Sequence, residues 1–183
     1  PITGRRVVHA GREQASVVLA MRGLQIADPR RHALSVAASI LGGQGGRLFL
    51  DLREQRSLAY DVWAHNSEGL DGGVFQVGLS TQPEREKEAV DGLRQVLSRL
   101  ATDGPTPDEI TRYTRMLAGH AAMSAQRVSW RAASAGLGTL YGIEWGLESE
   151  RSALASISAD DVRDALGALD LEDPLELIVR PLD

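Results

Sequence analysis

Gly46-Arg47-Leu48-Phe49-Leu50-Asp51-Leu52-Arg53-Glu54-Gln55-Arg56-Ser57-Leu58-Ala59-Tyr60 is the stretch on which the reading of this 183-residue chain turns. Arg47 to Gln55 reads as a short helix behind a glycine-rich joint, and Ala59 to His65 as the strand that follows. Arg53 then stands near the end of the helix and Tyr60 at the start of the strand, with a short turn between. Both side chains can point at one cleft. A Tyr hydroxyl can donate to an oxyanion, and an Arg can grip a carbonyl or a carboxylate. The plainer alternative is a surface charge beside a half-buried strand aromatic.

Upstream of this stretch, Arg6 to His9 and Ala15 to Leu24 read as strands, the second apolar enough to be buried on both faces. Asp28-Pro29 is expected to open a helix, Asp as N-cap and Pro in the first turn, with Leu34, Ala37, Ala38 and Leu41 inward. Gly42-Gly43-Gln44-Gly45-Gly46 reads as a flexible joint that stops it. Downstream, Val74 to Ser80 pairs with the Ala59–His65 strand through a Gly-rich hairpin. Gln82-Pro83 opens a helix whose Val90, Leu93, Leu97 and Leu100 share one face, with Glu84, Glu86 and Glu88 as a solvated start. Thr106-Pro107-Asp108-Glu109 is a capping box for a helix carrying Ile110, Tyr113, Leu117 and Ala121. A helix over 127–141 interrupted at Gly136 and Gly138, one over 148–157 and one capped by Ser158-x-x-Asp161 follow, then a strand over 175–179. Strands bracketing a helical middle predict one α+β domain over 1–183: an antiparallel sheet with helices packed on one face.

The composition sets limits. Apolar residues make up 43% and charged residues 25%, ordinary for a globular core. The formal net charge of -5 argues against nucleic acid. There is no cysteine, which excludes disulfides and thiolate metal sites. No apolar run is long enough to span a bilayer, and no signal peptide opens the chain. The chain opens on Pro1, which reads as a fragment or processed piece, so localisation stays open between cytoplasm and periplasm. An arginine-dominated basic set, with Lys87 the one lysine, points to a GC-rich bacterial genome.

Most candidate chemistry falls away. His9, His32, His65 and His120 are far apart in sequence, and His65-Asn66-Ser67-Glu68-Gly69 has Gly where a second zinc ligand would stand. His120 reads as a helix-packing residue. Gly43-Gln44-Gly45 is followed by Leu48 where a nucleotide loop needs glycine. No Gly-x-Ser-x-Gly elbow exists, and Ser149, Glu150 and Arg151 read as ordinary surface. No metal ligand set is expected in this chain.

The Arg-Leu-Phe helix, the Leu-Ala-Tyr strand, the Asp71-Gly72-Gly73 hairpin and the capped Thr106–Ile110 helix, in that order, resemble the second half of the inverted-zinc peptidases. This is the M16 family of pitrilysin, insulysin and mitochondrial processing peptidase. The resemblance implies a half-domain that binds substrate while zinc sits on a His-x-x-Glu-His helix of a homologous partner domain, in the same polypeptide or a separate subunit. The family's Phe, Arg and Tyr fall on Phe49, Arg53 and Tyr60. By that resemblance Arg53 holds a backbone carbonyl of a peptide substrate, Tyr60 hydrogen-bonds the tetrahedral oxyanion, and Phe49 lines the cleft. The isolated domain is then expected to bind no zinc and cleave nothing. Ser57 departs from the family's usual Gly and bears on how Tyr60 is aimed; Gly45 and Gly46 replace small polar residues and are expected to loosen the joint. Two alternatives stay open: a catalytically inactive structural or assembly subunit of the same family, and an unrelated α+β ligand-binding domain.

Overall fold

Five strands form one sheet: β1 (Gly4–Ala10), β2 (Ala15–Gly23), β3 (Asp61–Ser67), β4 (Gly73–Thr81) and β5 (Leu175–Pro181), in the spatial order β1-β5-β2-β4-β3. These come from a computed structural model that describes residues 3–182. The hairpin β3–β4 and the pairs β2–β4 and β2–β5 are antiparallel, whereas β1 runs parallel to β5. The α+β class therefore stands, and the sheet departs from an all-antiparallel one at that edge. The reason is topological: β1 and β2, joined by residues 11–14, run in opposite directions, so β5, seated between them and antiparallel to β2, runs parallel to β1.

Alternation assigns the two faces. Val17, Leu19 and Met21 of β2 share a face with Phe75, Val77 and Leu79 of β4, and all six are buried. Helices α1 (Arg31–Gly42), α2 (Glu86–Asp103) and α6 (Ala159–Gly167) cover that face with Leu34, Ile40, Leu41, Leu93, Leu100 and Leu166, each fully buried. A fully buried Leu or Ile contributes about 1.5–3 kcal/mol, so this layer carries most of the stability. The opposite face shows Val18, Ala20, Gln76, Leu177 and Trp63, none of them fully buried. There the Trp63 ring lies on Gly78, where a Cβ would come within 2.4 Å of it.

Helices α3 (Pro107–Ser124), α4 (Val128–Tyr141) and α5 (Leu147–Ala155) make up the rest. The Thr106–Glu109 capping box forms as predicted: Glu109 N–H donates to Thr106 Oγ1 at 3.2 Å, and Thr106 N–H to Glu109 Oε2 at 2.8 Å. Arg47 clamps the same carboxylate through two 2.8 Å bonds.

Several local expectations are corrected. The helix predicted from Asp28 begins at Arg31; the Asp28 carboxylate instead accepts from the Arg30 N–H and pairs with its guanidinium, closing a turn. Gly136 and Gly138 do not interrupt α4; Gly138 instead gives room to the Ile143 carbonyl, which a Cβ there would meet at 2.9 Å. The glycine joint is packed, not loose. A Cβ on Gly42 would come within 2.2 Å of the Ala64 nitrogen, and one on Gly46 within 2.7 Å of two carbonyls. Glu86 is not solvated: it is buried between Arg5 of β1 and Arg180 of β5, at 2.7 and 2.6 Å. Glu150 is more than surface, since with Glu68 it brackets the buried Arg31 at 2.8 and 3.1 Å. His120 lies exposed rather than packed in the helix interface.

Candidate functional site

Residues 47–55 are helical as predicted, but Phe49–Gln55 is wound as a π-helix. The Arg56 N–H reaches back five residues to the Asp51 carbonyl at 3.1 Å, and the Leu58 N–H reaches the Leu52 carbonyl at 2.7 Å. Such segments are rare and concentrate at functional sites. Leu48 and Leu52 anchor it with no exposed surface, and α2 passes so close that a Cβ on Gly92 would meet Leu52 at 2.8 Å. Phe49 and Arg53 leave on the other side, with the Arg53 guanidinium carbon 5.2 Å from the Phe49 ring centroid.

The chain then turns through Ser57 at φ 48, the one non-glycine in left-handed backbone among the described residues. This conformation answers the departure seen in the sequence: a glycine adopts it freely, and Ser57 does not. Three hydrogen bonds hold the turn. Arg85 Nη1 donates to the Ser57 carbonyl at 2.7 Å, the buried Thr81 hydroxyl to the Leu58 carbonyl at 2.6 Å, and the Tyr60 N–H to the Ser80 carbonyl at 2.9 Å.

The turn brings Arg53 and Tyr60 onto one cleft of about 240 Å³, with Ser57, Gln82 and Arg85 on its walls. Tyr60 is 50% exposed, and its phenol oxygen accepts from Gln82 Nε2 at 3.2 Å. Arg85 is committed to Ser57 and, through its remaining nitrogens, to the Glu88 carboxylate at 3.0 Å. Arg53 hydrogen-bonds nothing among the described residues, so its fork is open to a ligand. Phe49, expected to line the cleft, is not on its walls; it is half-buried against the core, with the Arg53 guanidinium stacked on its ring. Sequence reasoning missed Gln82 and Arg85. The signal that could have found them is their place just past β4, the strand pairing beside Tyr60.

The histidines do not gather at this cleft. His9 lies on β1 and His32 on α1; His65 and His120 share a separate cleft between β3, α1 and α3. No group of three or more His, Cys, Asp or Glu side chains among the described residues is placed to hold a metal ion, so the donors described do not fit zinc.

Comparison with known proteins places this geometry in a family. The model of the peptidase M16 inactive domain matches residues 1–117. An uncharacterized zinc protease of Streptomyces coelicolor is 35% identical over 174 residues, 89% of this chain and 38% of that protein. One from Bacillus subtilis is 30% identical over 115 residues, 62% of this chain and 28% of that protein. The chain thus spans well under half the length of these relatives. Among solved structures, the peptidase M16 inactive domain from Pseudomonas fluorescens superposes with a TM-score of 0.82 at 24% identity, over 100% of this chain and 45% of that one. An inactive peptidase domain from Bordetella parapertussis gives 0.83 at 20% identity, over 96% and 95% of the two chains. The five-stranded sheet, its helical layer and the sequence match agree: this chain belongs to the M16 peptidases, as their inactive domain.

Proposed function

We propose that this domain binds peptide for a zinc-bearing M16 domain and contributes Arg53 and Tyr60 to the peptide-hydrolysing site formed between them. The observation that carries the reading is the Arg53 guanidinium, without a hydrogen bond among the described residues, on one cleft with the half-exposed Tyr60. Arg53 presents a planar fork that a peptide carbonyl can accept from, its guanidinium stacked over the Phe49 ring. Tyr60 offers an O–H to the charge that develops on the carbonyl oxygen as water adds to it. The metal chemistry is assigned to the zinc-bearing domain, in keeping with the lack of a three-donor group among the described residues here. An assembly subunit would have no need of an open Arg53 fork at this cleft, which favours the peptidase reading.

The test is cleavage of an unstructured peptide by this domain joined to its zinc-bearing half, wild type against Tyr60→Phe. Loss of a donor to an oxyanion lowers kcat about 10²–10³-fold, or ~2.7–4 kcal/mol, and zinc content should be unchanged. Equal rates would reduce Tyr60 to a packing residue; an inactive wild type would move the assignment to an assembly subunit.

A further inference from the structure

We infer that Gln82 is a positioning residue that aims the Tyr60 hydroxyl proton into the cleft. The inference rests on the peptidase reading above and goes past it to a residue outside the family-like segment. Gln82 Nε2 donates to the phenol oxygen at 3.2 Å. A phenol hydroxyl lies in the ring plane, with its hydrogen on one side and an acceptor lobe on the other. An amide donor on one side therefore leaves the O–H directed to the other. Without it, the hydroxyl has two equivalent in-plane orientations, only one of which serves a substrate.

The amide is well placed for this task because its backbone is fixed. Pro83 restricts Gln82 to extended backbone, found at φ -67 and ψ 141. The Gln82 carbonyl accepts from the Arg85 N–H at 3.0 Å, closing a turn at the head of α2. Arg85 in turn holds the Ser57 carbonyl. The two ends of the Gln82–Tyr60 hydrogen bond thus sit on a single braced unit. Ser80 completes it, since its carbonyl accepts the Tyr60 N–H two residues before Gln82. Gln82 itself is exposed, so replacing it removes little packing.

The experiment uses the domain with its zinc-bearing half and compares Gln82→Met and Gln82→Glu, each alone and with Tyr60→Phe. Methionine removes the donor at similar length; glutamate replaces it with an acceptor that draws the phenol proton away from the cleft. The expected result is a kcat lowered severalfold by Gln82→Met and about tenfold or more by Gln82→Glu, part of the 10²–10³-fold worth of such a donor. KM and melting temperature should stay unchanged, because the loss is confined to the transition state. In the Tyr60→Phe background neither change should lower kcat further, which a merely structural role would not produce. Unchanged kcat in both single variants, or equal losses with and without the Tyr60 hydroxyl, overturns the inference while leaving the peptidase reading intact. A silent Tyr60→Phe or an inactive wild type overturns that reading and this inference with it.

Discussion

Ser57 occupies left-handed backbone at φ 48, and its carbonyl is gripped by Arg85 at 2.7 Å. A residue with a Cβ gives up about 1–2 kcal/mol there. Glycine would recover that cost but would also enlarge the freedom of the unfolded chain by about 0.4–1 kcal/mol. The balance favours glycine, so Ser57→Gly should stabilise the domain by roughly 0.5–1 kcal/mol, read as a higher urea midpoint at unchanged slope. Ser57→Val should do the opposite, since a β-branched residue tolerates this backbone worst. The pairing of Arg53 with Tyr60 on one cleft was legible in the sequence because both lie in a single local stretch. Gln82 was not legible. Its partner lies across a strand pair, and no local pattern records which hydrogen bond a Gln makes after the chain folds back.

At the level of elements, the head of α3 joins two functions in one side chain. Glu109 accepts the Thr106 N–H and also binds Arg47, which tethers the entrance of the π-helical segment to α3. Thr106→Ala should cost about 1 kcal/mol by leaving a helix N–H unpaired. Burial by itself raises the Glu109 carboxyl, but the hydrogen bonds from Arg47 and Thr106 outweigh it and hold the group below its ordinary value. An unfolded Glu titrates near about 4.3, so the stabilisation is complete above that pH and is lost as pH falls through the lower folded value. Glu86, held below its ordinary value chiefly by hydrogen bonding from Arg180, acts with the same sign. Glu109→Gln should therefore make the acid limb of stability against pH shallower without abolishing it. Helix periodicity and the capping box made these helices readable in advance. The π winding was not readable, because it depends on how Leu48 and Leu52 seat against α2. Nor was the burial of Glu86, whose charge partners come from two strands 81 and 94 residues away.

Across the whole molecule, stability is unevenly spread. Helix α1 buries eight of its residues, whereas α4 buries only Ser134 and Gly138 and leaves Val128 and Leu140 81% and 70% exposed. Backbone amides open most readily where few apolar contacts hold them. Hydrogen exchange should therefore label α4 fastest among the helices longer than ten residues, and α1 and β2 slowest; protection of α4 equal to that of α1 would contradict this.

The sheet order carries a consequence for timing. β5, the last of the described strands in chain order, pairs with β1, the first of them, and also with the inner edge of β2. During synthesis β1 must wait for this partner until residues 175–181 have left the ribosome. The β2–β4–β3 meander, whose partners are close in sequence, can form long before. Assembly thus has a fixed last act, the threading of residues 175–181 between two waiting edges, and pairings of such sequence separation are slow to form. A nascent chain stalled ahead of that act exposes two open strand edges at once, which makes this the stage at which a ribosome-associated chaperone has the most to protect.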